Sequence, residues 1–498
     1  MYKSIRFLPG RHPLENSHVC RTFELARGFG KKIYLVGGYL RDSIDIGRAR
    51  LSRKDCAKDL DFAVEGGGAV ALGRQLADAL SGHFVLLDEA NDIARVVLED
   101  RTTYIDLAGF TGDIASDLRR RDFTVNAMAF ADSDAADDEN DQEIVDLRLQ
   151  VIDPCHGLED LGANVIRAVS EEVLVDDPLR LLRAYRFASS LGATIDSATR
   201  AYVARHVNLL SQVARERVSY EFFTMMESPV GGLAKEMGRI GLLEAVYPEL
   251  SGCRRVTPNS FHHLPLFDHS VETLPQLEAR LPTLAPWVAD SCANELSGGI
   301  SRLAATKVAC LLHDIGKPDT WAVTDEGRHT FIGHDKLGAE MVKPLADREK
   351  WSRQVSRFVE KLVLWHLRPG QLFHTARPTV KALNRFYRTA AEDVPELLLL
   401  AFADFGATCG PGLSGEDRLR LENSLLELLD GYPAYLENTK LLPKLIDGSD
   451  VMRLLGISPS PLIGEILGAL HEAQEMKEVT DRAQAEAFVL SYRSGCEE

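Results

Sequence analysis

The apolar residues of this chain change their spacing once, and that change bounds the fold more tightly than any other feature. Up to about residue 150, short β-type runs (Ile33–Val36, Leu60–Val64, Phe84–Leu87, Arg95–Leu98 and Tyr104–Leu107) alternate with helix-like stretches such as Ala69–Leu80, the pattern of an α/β domain. From about Ala168 the spacing becomes helical and strand signals nearly vanish. At 498 residues the chain is too long for one compact core. The expectation is an α+β multidomain protein: an α/β domain over 1–150, then all-α segments over 151–250, 251–410 and 411–498. Breaks are placed near Pro248–Pro258 and Gly410–Gly415, where the helical pattern is interrupted. The stretch Asp132–Glu143 carries seven carboxylates and no base; with nothing to bury, it reads as a solvated loop.

Composition narrows the class. Met1–Cys20 contains no apolar run of the signal-peptide kind, and the longest apolar stretch, Leu397–Phe402, is far short of a membrane span. Eight scattered cysteines with no C-x-x-C pair fit reduced thiols better than a disulfide framework or a zinc site. A cytoplasmic protein with no membrane partner is expected. The net charge of −17 disfavours a nucleic-acid partner, yet Pro178–Arg217 holds seven arginines against two carboxylates, a strip able to grip RNA phosphates.

The first chemical signal follows the run Ile33–Val36. Gly37 and Gly38 let the backbone approach a triphosphate, and Arg41 adds a charged donor. Asp59 and Asp61 flank Leu60, so on a strand both carboxylates share one face and can converge on Mg²⁺ for two-metal phosphoryl transfer. Asp106 is a third carboxylate, as ligand or base.

Gly37-Gly38-x-x-Arg41-Asp42 followed by Asp59-Leu60-Asp61 resembles the nucleotidyltransferase superfamily of DNA polymerase β. Arg120-Arg121-Asp122-Phe123-Thr124-Val125-Asn126-Ala127 resembles the R-R-D-F-T-x-N-A element of the bacterial-type (class II) tRNA nucleotidyltransferase and poly(A) polymerase family. Asp153-Pro154, Gly157 and Asp160-Leu161 look like that family's connector. Asp176-Asp177-Pro178-Leu179-Arg180 looks like its E-D-x-x-R helix, with Asp176 in place of Glu. The resemblance implies a polymerase-β-like head, a helical neck, an HD-type body and a helical tail. It also implies nucleotide contacts for Gly37, Gly38, Arg41, Asp42, Arg121, Asp122, Asn126, Asp177, Arg180, Arg183 and Arg186. Asp177 and Arg180, one helical turn apart, can read the Watson–Crick edges of ATP and CTP. Arg215–Glu221 resembles a further element packing near the nucleotide, and Asp447–Leu467 resembles the tail, expected as a helical hairpin near the RNA. The segment from Asp42 to Asp59 is longer and more basic than is usual in the family.

His313-Asp314, after the apolar run Val308–Leu312, resembles the signature of HD-type phosphohydrolases. His269 upstream with His334, His366 and Asp404 downstream complete a candidate set for a divalent metal of unspecified identity; His262, His263, His329 and His374 stand outside it. The function implied is template-independent addition of C and A to the 3′ end of tRNA: whole CCA first, CC or A alone next, poly(A) tailing third. The contrasting class is an HD phosphohydrolase whose head only senses nucleotides; a catalytically silent RNA-binding protein would need neither the metal pair nor the arginine set.

Overall fold

The computed structural model describes residues 6–45, 58–132, 151–258, 263–325, 327, 329–373, 377–408 and 414–494, which fall into two compact units, Met1–Val246 and Tyr247–Glu498. Most of the expected inserted loop (46–57), of the acidic segment (133–143) and of the break at 410–415, together with His262 and His374, lies outside the described residues.

The first unit is built on seven strands: β1 (Ile33–Val36), β2 (Asp59–Glu65), β3 (His83–Asp88), β4 (Ile93–Val97), β5 (Tyr104–Phe110), β6 (Ala129–Phe130) and β7 (Val151–Ile152). They form one sheet in the order β3-β4-β5-β2-β1-β6-β7. In it β2 and β5 run parallel and the other neighbours antiparallel. All four residues of β1 are buried, as an unbroken apolar run requires of a strand covered on both faces. The helix Ala69–Ala79 packs on β3, β4 and β5 through Leu72 and Leu76. A Cβ on its Gly73 would stand 3.1 Å from that of Ala94, so a glycine permits the close helix–sheet approach. The Asp92 carboxylate accepts from the N–H groups of Gly68, Ala69 and Val70 at 2.7–2.9 Å, stabilising that helix N-terminus.

Beyond β7 this unit is helical, with Leu179–Leu191 packed against Arg215–Met226. The all-α expectation misses a parallel pair, Val165–Ile166 with Thr194–Ile195, and two small antiparallel pairs near residues 295–301 and 322–330. Each strand is two or three residues long, too short to leave a period-2 signal.

In the second unit the helices Leu266–Arg280, Arg302–Leu312, His334–Arg348, Arg353–Trp365 and Val394–Ala407 pack around one another. Arg302–Leu312 is central and buried at ten positions. Its Arg302 is neutralised by Glu396 at 2.8 and 2.9 Å and by Asp393 at 2.5 Å, the condition under which a charge tolerates burial. The helices Gly448–Leu455, Pro461–Glu475 and Arg482–Ser494 share an apolar cluster around Val451, Ile466, Leu470 and Val489, so the expected tail hairpin is completed by a third helix. Among the described residues no helix is long and apolar enough to cross a membrane.

Candidate functional site

Strand register lines up residues that are far apart in the chain. Arg95 lies opposite Asp106, Asp106 opposite Asp61, and Asp61 opposite Val36. Leu60 is fully buried, whereas Asp59 is exposed and Asp61 half-buried, so the two carboxylates share the other face. A Cβ placed on Gly37 would sit 2.5 Å from Asp61 Oδ2, and φ there is +75°; a side chain is excluded on both counts. The Asp61 carboxyl is pushed up to about 6 by burial, then by Asp106 and Asp59, against the pull of Arg121 and Arg95. Crowded carboxylates of this kind are what a divalent cation relieves, so the residues fit a metal. Asp106 stands opposite Asp61, and Arg95 Nε and Nη2 both hold its carboxylate at 2.7 Å.

Five of the residues expected at the nucleotide form one hydrogen-bonded chain, and Arg186 joins it through an ion pair. Arg41, buried, donates twice to Asp42 at 2.8 Å and to Asn126 Oδ1 at 2.7 Å. Asn126 donates to Asp122 at 3.2 Å, and Arg183 grips Asp122 Oδ2 through Nε at 2.9 Å and Nη2 at 2.7 Å. Arg183 also lies 3.8 Å from Glu221, which accepts from Arg186 Nε. The guanidinium carbons of Arg186, Arg183 and Arg41 stand 3.8, 5.1 and 5.3 Å from the ring centre of Phe187, a cation–π platform for all three. Burial alone would raise the Asp122 carboxyl, but Arg183 holds it below the usual range. Burial lowers the Arg186 guanidinium, Arg183 and Arg41 lower it further, and Glu221 opposes them. Gly38 precedes this chain without entering it, with Arg41 Nη2 3.7 Å from the place of a Cβ. Arg121 is tied to the buried Asp117 at 3.1 Å.

Asp177 and Arg180 are placed differently from expectation. The helix begins at Leu179, and Asp177 is extended at φ −132°, ψ 95°, because a residue before proline avoids the helical region. Asp176 ends the preceding short helix and is exposed. Asp177 pairs with Arg217 at 3.0 Å, while Arg180 donates to the carbonyls of Arg120 and Val173 at 3.1 and 3.0 Å. The basic strip is likewise engaged within the protein: Arg200 with Glu236, Arg205 with Glu171, Arg215 with the carbonyls of Ala245 and Val246. With its remaining members held as described, none of the seven arginines is an unpartnered cation on the surface.

In the second unit five helices deliver the HD residues. His269 and Asp404 project from Leu266–Arg280 and Val394–Ala407, His334 starts its helix, and His313 and His366 cap the ends of Arg302–Leu312 and Arg353–Trp365. Nδ1 of His313, His334 and His366 lies 2.7–2.8 Å from the carbonyl oxygens of Cys310, Phe331 and Val363. A carbonyl only accepts, so each Nδ1 carries a proton and each ring turns its Nε2 inward. Nε2 of His334 and Nε2 of His366 lie 3.3 Å apart, close enough for both to reach one cation. His313 Nε2 and both Asp314 oxygens are buried without a well-directed hydrogen bond, although Lys317 Nζ stands 2.6 Å from Asp314. Asp314 Oδ2 faces His313 and His269 at 3.1 and 3.8 Å, and Oδ1 faces His334 and His366 at 3.3 and 3.7 Å. Burial opposes ionisation of Asp314, yet His313 and Lys317 hold its carboxyl well below the usual range. Two triads result, His269-His313-Asp404 and Asp314-His334-His366, each with ligand atoms within 4.8 Å of one another; the residues fit divalent metal.

Arg95, Asp117, Phe187 and Lys317 were not singled out from the sequence, and Glu221 entered only as the last residue of the family-like stretch Arg215–Glu221. Of the first four only Lys317, at the helical spacing from Asp314, carried a local signal.

Comparison with known proteins agrees with this layout. The family described as the Poly A polymerase head domain matches residues 33–167, the probable RNA and SrmB-binding site of polymerase A matches 192–253, and the HD domain matches 287–404. An A-adding tRNA nucleotidyltransferase of Deinococcus radiodurans is 33% identical over 466 residues, covering 91% of this chain and 94% of that protein. A CC-adding tRNA nucleotidyltransferase of Thermus thermophilus is 30% identical over 474 residues, covering 94% and 95%. The fold is similar to that of the Thermotoga maritima CCA-adding enzyme complexed with tRNA, with a TM-score of 0.59 and 21% identity over 98% of this chain and 99% of that one. With a poly(A) polymerase-type head, an HD domain and a relative this similar along nearly its whole length, the chain belongs to the tRNA nucleotidyltransferase and poly(A) polymerase family.

Proposed function

We propose that this protein adds nucleotides to the 3′ end of tRNA, the terminal hydroxyl attacking the α-phosphate of CTP or ATP with release of pyrophosphate. The observation that carries the reading is the seating of the Asp61 carboxylate against the turn at Gly37, where it excludes a Cβ, with Asp59 on the same face of the strand. Asp59 and Asp61 would hold Mg²⁺, which supplies a polarised 3′-hydroxyl and charge neutralisation on the phosphates. Asp106, clamped by Arg95 opposite Asp61, serves as the third carboxylate, ligand or base. Arg121, steadied by Asp117, presents a fixed cation to the triphosphate. Arg41 acts chiefly by bracing Asp42 and Asn126. Asp177 and Arg180 form the base-reading pair, exchanging their present partners for a nucleotide edge. The four-segment division, a head over 1–150, a neck over 151–250, an HD body over 251–410 and a tail over 411–498, belongs to the same proposal, as does a cytoplasmic site of action on tRNA.

The product is CCA or part of it. The named relatives are an A-adding and a CC-adding tRNA nucleotidyltransferase. The test offers tRNA transcripts ending before the CCA, after its second C and at the complete end, each with Mg²⁺ and CTP, ATP, both or UTP. Extension of an incomplete end, but not of the complete one, is expected. Long A tails or no extension would refute the reading.

The histidine cluster favours an additional activity. His269, His313, Asp314 and Asp404 would hold one divalent ion, and His334 and His366 would hold a second. Such a centre suits hydrolysis of phosphomonoesters or 2′,3′-cyclic phosphates at RNA ends.

A further inference from the structure

Arg186, expected to meet the nucleotide, owes its position to a carboxylate on a different helix, and the same carboxylate stands beside Arg183. Glu221 lies on Arg215–Met226, is 4% exposed, and accepts from Arg186 Nε while standing 3.8 Å from Arg183. Arg186 is pressed onto the Phe187 ring, 3.8 Å from its centre, beside the guanidinium groups of Arg183 and Arg41. Three cations sharing one ring repel one another, and each is held by its own carboxylate: Asp42 for Arg41, Asp122 for Arg183 and Glu221 for Arg186. Remove the third and Arg186 is left buried beside two like charges without a counter-ion, so it would move off the ring. Arg183, still gripped by Asp122, would lose the second carboxylate 3.8 Å away and readjust together with Asp122. Asp122, gripped by Arg183 and hydrogen-bonded to Asn126, would then lose its register with the expected ribose and phosphate contacts.

We infer that Glu221 is a positioning residue for nucleotide selection, acting through Arg186 and Arg183 on the base and ribose of the incoming nucleotide. This rests on the proposed role of those arginines, and the test separates the two. Full-length wild type, E221Q, E221D, R183A and R186A are compared for KM, kcat and misincorporation of UTP on a tRNA transcript lacking its CCA, with thermal melts as a control on folding.

Glutamine keeps the shape but not the charge. E221Q is expected to raise the KM for the correct nucleotide about tenfold and to relax exclusion of UTP by a similar factor, as the loss of a hydrogen bond to a charged group implies. Its kcat stays within about twofold of wild type, and E221D restores most of the selectivity. A uniform fall in kcat for all nucleotides with KM unchanged would make Glu221 a merely structural residue and overturn the inference. If R183A and R186A relax selection and E221Q does not, Glu221 alone loses its role; if none of the three does, the reading of the arginines falls with it.

Discussion

At Gly37 a single methyl group decides whether the Asp61 carboxylate can keep its place. A Cβ there would lie 2.5 Å from Asp61 Oδ2, and φ is +75°. G37A is therefore expected to displace Asp61 and cut tRNA extension by two orders of magnitude or more, while destabilising the fold by about 1–2 kcal/mol; extension assays and urea melts would check both. The D59A/D61A double variant should fold and extend nothing, and a normal extension rate would remove the catalytic proposal. Asp61 also predicts a pH dependence. Its carboxyl is raised from 3.8 to about 6 in the metal-free fold, so the folded state holds this proton more tightly than the unfolded chain. The resulting stabilisation is complete below the unfolded value and is lost as pH rises through about 6. Measured by urea melts in EDTA, D61N should exceed wild type by about 1–3 kcal/mol near pH ~8, and the gain should shrink toward pH ~4. A gain independent of pH would show that the crowding of carboxylates is not its cause.

On the proposed reading, base choice belongs to an element rather than to single residues. The turn at Asp177-Pro178 and the helix Leu179–Leu191 place Asp177 outside the helix and Arg180 one residue inside it. Each is held by another part of the same unit: Asp177 by Arg217, and Arg180 by the carbonyls of Arg120 and Val173. D177A and R180A are expected to weaken discrimination between ATP, CTP and UTP by about tenfold to a hundredfold while polymerisation persists. Unchanged fidelity in both variants, scored on a sequencing gel, would rule out this segment as the selector. The expectation of a continuous helix through residue 177 came from motif spacing; it failed because proline restrains the residue before it more strongly than periodicity can express.

Across the whole chain, the carboxylate row and the histidine cluster sit in different compact units, so their chemistries should separate by mutation. H313A with D314A is expected to abolish bound divalent metal at the HD centre, read by elemental analysis of dialysed protein, and to leave tRNA extension within about twofold, as independent sites do. D59A/D61A should do the reverse. Phosphoester hydrolysis lost in the first variant and kept in the second, with no tRNA extension by the wild type, would favour the alternative in which the HD centre does the main work. The family was legible in the sequence because its motifs are local: Gly37-Gly38, Asp59-Leu60-Asp61, Arg120–Ala127 and His313-Asp314 each put the reacting groups within a few residues. The alternation of short apolar runs likewise determined the sheet-then-helix order, since strand and helix periods are properties of consecutive residues. Tertiary structure alone decided that Arg95 clamps Asp106, that Glu221 holds Arg186 from 35 positions away, that Phe187 gathers three guanidiniums, and that the basic strip is spent on internal partners. Those pairings depend on strand register and helix packing between distant segments, and no pattern of neighbours along the chain encodes a contact whose two halves meet only when the core closes.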